Sequence, residues 1–195
     1  LSSYLRDVKD FPKPGVVFKD ITPLLQSPAA MDETTKQIVE RFKVDKIDKV
    51  AAIESRGFIF GALVAAKLGV GFIPVRKPGK LPWRTQSVNY ILEYGSGTLE
   101  IHEDAIKKGE RVIVVDDLLA TGGTARAASN LLRECGADVR AAATIIELNF
   151  LNARTGSFVT GSTDSMASMK ISASLIVGVN VVQLPGGTVK AIVTT

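Results

Sequence analysis

The stretch Arg111-Val112-Ile113-Val114-Val115-Asp116-Asp117-Leu118-Leu119-Ala120-Thr121-Gly122-Gly123-Thr124 joins a run of β-branched residues to a pair of acids and then to a loop of small residues. Four consecutive β-branched residues have the composition of a strand buried on both faces, as in a parallel sheet. The acids then mark its carboxyl end. The small residues open a helix expected over 123–135, with Ala128, Leu131, Leu132 and Cys135 on one stripe and Gly136 as its stop. The unpaired N–H groups and positive dipole end of a first helical turn favour a phosphate. Carboxylates would repel that phosphate directly, but they suit sugar hydroxyls through charge-assisted hydrogen bonds, with or without a cation between them. Together these features describe a ribose 5-phosphate site. Neither the triphosphate loop G-x-x-x-x-G-K-[ST] nor the dinucleotide fingerprint G-x-G-x-x-G occurs.

Outward from this stretch, helix signals fall at 29–43, where Ser27 or Asp32 can cap, and at 58–68, closing on Gly69. Lys49 to Ile53 reads as a buried strand ending at Glu54, and Val70 to Val75 as another ending at Arg76. Residues 87–101, with Gly95 and Gly97 at their middle, form an expected hairpin or flap, and Lys107-Lys108-Gly109 is expected to end a short helix. Strands alternating with helices imply an α/β fold: a mostly parallel central sheet flanked by helices, with ligands at the carboxyl ends of the strands.

Composition narrows the function. The chain has 195 residues, 46% of them hydrophobic and 23% charged, suited to one α/β domain. One cysteine, Cys135, and one histidine, His102, exclude an internal disulfide, a Cys-rich zinc site and a His-based metal cluster; Cys135 reads as a small helix-face hydrophobe and His102 as a surface residue. A net charge of +4 suits a small anion, and without a basic stripe no nucleic-acid partner is expected. Residues 1–15 contain no apolar stretch of the secretory kind, so a cytoplasmic protein is expected. The uncharged run between Lys170 and Lys190 contains Ser172, Ser174, Asn180, Gln183 and Pro185, so it reads as strand and turn and no membrane span is expected. From Leu148 onward the only charged residues are Arg154, Asp164, Lys170 and Lys190.

The segment 112–124 resembles the phosphoribosyl pyrophosphate (PRPP) loop of the type I phosphoribosyltransferases, in the Leu-Leu-Ala-Thr-Gly-Gly-Thr form of members acting on adenine. Four further stretches agree in the same order: Phe11 to Leu25, Glu54-Ser55-Arg56-Gly57-Phe58, Arg76 to Pro82, and Leu92-Glu93-Tyr94-Gly95. The resemblance covers about residues 4–148. It implies a type I phosphoribosyltransferase fold with a small N-terminal hood and a mobile flap, as one domain over 1–148. The low-charge segment 149–195 then completes or extends that domain, with 171–182 offering a last strand.

Residue by residue, the resemblance puts Asp116 and Asp117 on the ribose hydroxyls of PRPP, and Ala120, Thr121, Gly122, Gly123 and Thr124 around its 5-phosphate. It puts Ser55, Arg56 and Gly57 on the pyrophosphate through a strained, cis non-proline peptide, with Arg56 also counted as catalytic. Arg76, Lys77 and Lys80 would neutralise the departing pyrophosphate. Val17, Phe18 and Lys19 would hold adenine through backbone groups, with the Phe18 ring over the base; core packing is the alternative for Phe18. Many relatives carry Arg where this chain has Lys19. Glu93 corresponds to the general acid near purine N7, and Tyr94 to a lid; an exposed flap carboxylate is the alternative for Glu93. Mg2+ is expected as cofactor, carried mainly by PRPP and lying beside Asp116 and Asp117. A homodimer is expected, with PRPP and adenine as substrates and AMP and pyrophosphate as products.

Two other functions fit part of this pattern. A phosphoribosyltransferase for a 6-oxopurine needs a donor near O6 after the last strand, where only Lys170 and Lys190 are available. A non-catalytic PRPP-binding regulator needs an added DNA-binding domain and gives the Glu93 flap no purpose.

Overall fold

The computed structural model describes residues 1–92 and 95–148, with side chains for 1–90 and 96–148, and the backbone of 175–183. An antiparallel pair, β1 (Arg6–Lys9) and β2 (Val17–Asp20), forms the N-terminal hood. A single turn, α1 (Thr22–Leu25), leads to α2 (Pro28–Phe42). Of the two expected caps for α2, Ser27 is the one used: its hydroxyl accepts from the Ala30 N–H at 3.3 Å, and Pro28 occupies the position where an N–H would have no partner.

The expected central sheet follows. β3 (Lys49–Ile53) runs into α3 (Gly57–Leu68), which ends at Gly69 and returns as β4 (Gly71–Val75). β5 (Thr85–Leu92) and β6 (Gly95–His102) pair as the expected antiparallel hairpin. β7 (Arg111–Leu119), α4 (Gly123–Glu134) and β8 (Asp138–Leu148) follow, and β9 (Leu175–Gln183) lies on the edge. The sheet order is β4-β3-β7-β8-β9, with the first four strands parallel and β9 antiparallel to β8.

Both faces of the sheet are covered. On one, Ile38 and Phe42 of α2 and Phe60 and Val64 of α3 pack against Val50, Ile113 and Val115. On the other, Ala128, Leu131 and Leu132 of α4 join Leu99 and Ile101 of the hairpin over Val112 and Val114. Burying a side chain such as Phe60 contributes about 1.5–3 kcal/mol, so these two layers dominate the stability of the sheet. Cys135 packs at the margin of the second layer, and burial raises its thiol pKa, in keeping with a hydrophobe.

Three expectations need correction. No helix ends at Lys107-Lys108-Gly109; the chain turns there, with the Lys107 N–H donating to Glu110 Oε2 at 2.7 Å and the Gly109 N–H to the Gly136 carbonyl at 2.8 Å. β7 does not stop before the acids but continues through Leu119, because β8 keeps pairing with it to Glu147. His102 is half-buried, and its Nε2 is enclosed without a hydrogen-bond partner.

Candidate active site

A cleft of about 450 Å³ opens where β3 and β7 end. Its walls are the 53–56 turn, Lys77, Tyr90 and Leu99 of the hairpin, and the continuous segment 116–125. The sheet order explains why these meet: β3 and β7 are parallel neighbours, so the turns that follow them emerge at the same edge.

The approach of the two turns is close. The Glu54–Ser55 peptide is cis, and the chain enters α3 at Gly57. A Cβ at Gly57 would stand 2.9 Å from Asp116 Oδ1 and 2.9 Å from the Val115 carbonyl oxygen, so glycine is required for contact between the helix start and β7.

Asp116 Oδ1 accepts the Asp117 N–H at 2.9 Å. Burial pushes the Asp116 carboxyl well above the usual carboxylate range, and the neighbouring Asp117 charge adds to that shift. Asp117 is raised too, because burial outweighs the opposing Arg56 charge. Arg56 Nε lies 2.9 Å from Asp117 Oδ2, and the Asp117 side chain is only 6% exposed. The direction of that contact does not meet hydrogen-bond geometry, so Asp117 Oδ2 keeps unused acceptor capacity inside the cleft. On its other side, the Arg56 guanidinium lies over the Phe18 ring, 5.1 Å from its centroid.

The 120–124 turn completes the site. Gly122 is the N-cap of α4 with φ 82°, a left-handed conformation, and no side chain caps the helix. No acid lies in the first turn either, so its free N–H groups face the cleft as an anion cradle.

Among the expected site residues, the structure brings together Ser55, Arg56, Lys77, Asp116, Asp117, Ala120, Thr121, Gly122, Gly123 and Thr124. Gly57 sits directly behind them. Arg76 and Lys80 do not line the cleft. Arg76 Nε donates to Glu54 Oε2 at 2.7 Å and Arg76 Nη1 to the Lys80 carbonyl at 2.9 Å, so the arginine braces the turn after β3 against the 76–80 loop. Val17, Phe18 and Lys19 belong to the hood, beside the cleft rather than on its wall. Phe18 is not core: it is half-buried, in edge-to-face contact with Phe11 and under the Arg56 guanidinium. The Lys19 ammonium is held by Asp7 at 2.6 Å. Glu93 and Tyr94 lie outside the described residues.

Sequence reading overlooked Glu54, Tyr90 and Leu99. Tyr90 lies across the hairpin from Gly97, and that aromatic–glycine pairing was the available signal for a ring turned onto one face.

Comparison with known proteins agrees with this geometry. Residues 19–157 match the phosphoribosyl transferase domain family. The chain is 56% identical over 154 residues to an adenine phosphoribosyltransferase of Methylococcus capsulatus, covering 79% of this chain and 90% of that protein. It superposes on the crystal structure of the Thermoanaerobacter pseudethanolicus adenine phosphoribosyltransferase with a TM-score of 0.76 at 48% identity, covering 80% and 92% of the two chains. The Saccharomyces cerevisiae adenine phosphoribosyltransferase, solved with an imino-altritol bisphosphate and adenine, gives a TM-score of 0.75 at 40% identity, covering 80% and 90%. The chain therefore belongs to the phosphoribosyl transferase family, in its adenine phosphoribosyltransferase branch.

Proposed function

We propose that this chain transfers the 5-phosphoribosyl group of PRPP to adenine, giving AMP and pyrophosphate in purine salvage. The observation that carries the reading is one cleft holding two acids at a strand end beside an uncapped helix start. Asp116 and Asp117 accept the ribose hydroxyls, and the N–H groups of 120–124 hold the 5-phosphate. Arg56 and Lys77 face the pyrophosphate, where negative charge grows as the C1–oxygen bond breaks and its electron pair departs. The new bond forms from purine N9 to ribose C1, the N9 proton is released to water, and a proton lent to N7 returns to its donor once the bond has formed. Adenine lies against the hood at Val17, Phe18 and Lys19, and Glu93 is the acid near N7, with Tyr94 closing the flap.

Asp116 and Asp117 offer hard oxygen donors of the kind Mg2+ prefers, with Asp117 Oδ2 short of a hydrogen bond. Among the described residues no group of three or more His, Cys, Asp or Glu could hold a metal alone. A Mg2+ here would take most of its ligands from PRPP and water, with these two acids as the protein's share. When bound, it neutralises the pyrophosphate.

Asp117→Asn is expected to weaken PRPP binding by about 1.5–3 kcal/mol, the worth of a hydrogen bond to a charged acceptor, while leaving the fold intact. Asp116→Asn is expected to weaken binding similarly and to raise the melting temperature. The raised Asp116 pKa means that ionisation costs the folded state stability, and a neutral amide removes that cost. The gain should be full at pH above the raised value and vanish as pH falls below the ordinary carboxylate range. Calorimetric titration with PRPP and melts across pH check both; unchanged PRPP affinity in both variants would remove the ribose assignment.

The protein is a cytoplasmic homodimer in this reading. Phe58 and Phe72 meet edge to face with centroids 5.7 Å apart, and Phe72 on the sheet-edge strand β4 remains 37% exposed, as does Leu63 of α3 at 36%. A second copy covers this apolar patch. Sedimentation should give a dimer that Phe72→Glu dissociates; an active monomer of the parent protein contradicts it. No described helix is long and apolar enough to cross a membrane.

A further inference from the structure

Arg56 is shared between the two substrate sites. Its Nε stands 2.9 Å from Asp117 Oδ2, the acceptor assigned to the ribose, while its guanidinium covers the Phe18 ring at 5.1 Å, the aromatic assigned to the base. The arginine is one-third exposed and its Asp117 partner is almost wholly buried, so the cation is the member of the pair free to move. Phe18 also meets Phe11 in an edge-to-face contact, with centroids 5.2 Å apart. The three residues come from the hood, the turn after β3 and the end of β7.

We infer that the Phe18–Arg56–Asp117 chain couples the purine and PRPP sites, with Phe18 acting as a positioning residue for a PRPP contact it does not itself make. This rests on the functional reading above. An incoming pyrophosphate, with several negative charges, outcompetes a single carboxylate and a ring face for the guanidinium. Arg56 then leaves Phe18, and the uncovered face becomes available to a flat purine. Filling the PRPP site first thus strengthens purine binding, and reciprocity requires that a bound purine strengthen PRPP binding by the same factor. The ring also opposes PRPP in the absence of purine, because it helps to hold Arg56 away from the pyrophosphate.

The test is calorimetric titration of Mg2+ and PRPP, with and without 9-deazaadenine, whose carbon at position 9 prevents transfer. In the parent protein saturating 9-deazaadenine should tighten PRPP by about tenfold. Phe18→Leu keeps an apolar residue but removes the ring face; it should bind PRPP alone about threefold more tightly, with the coupling reduced to within about twofold. Phe18→Tyr, which restores a ring face, should return both values to those of the parent. A Phe18→Leu protein that binds purine weakly but keeps the parent's PRPP affinity overturns the inference, because a residue serving only the base would behave that way. Parent protein that binds both ligands without coupling also overturns it while sparing the functional reading. Failure of the parent to bind PRPP at all overturns both.

Discussion

Gly57→Ala is expected to lose activity by about a hundredfold in kcat/KM, the scale associated with a misplacement of around 1 Å in a catalytic site. The added Cβ would meet Asp116 Oδ1 and the Val115 carbonyl at 2.9 Å each. One of these is backbone in the central strand and cannot swing aside, so α3 must retreat from β7. That retreat carries the 54–56 turn with it and shifts Arg56 relative to the end of β7, disturbing the geometry of the proposed pyrophosphate and ribose contacts. Overpacking of this kind costs about 1–3 kcal/mol of stability, so the variant should fold and melt lower. Steady-state kinetics with a thermal melt decide the matter: a folded Gly57→Ala protein with parental kcat/KM would mean that the close approach plays no part in catalysis.

Glu93→Gln separates proton transfer from flap anchoring. Glutamine keeps the size and a hydrogen-bonding group but has no proton to titrate. If Glu93 is the acid near N7, kcat should fall by about a hundredfold while KM for PRPP moves little, as for an interaction made mainly in the transition state. If Glu93 only anchors the flap, glutamine should substitute with small loss, and Glu93→Ala should raise both Michaelis constants together. The pH profile reads the same question independently. A limb present in the parent and missing in Glu93→Gln assigns the proton to this carboxyl; superimposable profiles with near-parental turnover leave it a structural residue.

Local signals carried the reading of the fold a long way. The apolar run Lys49 to Ile53 is β3 at its expected bounds, and Ser27 before Pro28 is the α2 cap, because both depend on residues adjacent in the chain. Lys107-Lys108-Gly109 misleads for the same reason. It has the composition of a helix stop, yet Glu110 and Gly136 supply the hydrogen bonds that make it a turn, and Gly136 is distant in sequence. The acids and small residues of 116–124 were legible as a site because one strand-to-helix turn holds them all. Arg76 was not, since its partner Glu54 comes close only when β4 lies beside β3. The same applies to Arg56 on Phe18: the hood's position over the 54–56 turn is a tertiary fact that no local pattern encodes.

Transfer of phosphoribosyl to adenine is distinguished from its alternatives by base selectivity. With PRPP and Mg2+, initial rates are compared for adenine, hypoxanthine and guanine, following AMP or the corresponding nucleotide together with pyrophosphate. Adenine should give stoichiometric AMP and pyrophosphate, with kcat/KM above that of either 6-oxopurine by about two orders of magnitude or more, as expected where placed hydrogen-bonding groups read a base. Equal or faster turnover of hypoxanthine or guanine, or PRPP binding without nucleotide formation from any purine, would contradict the account.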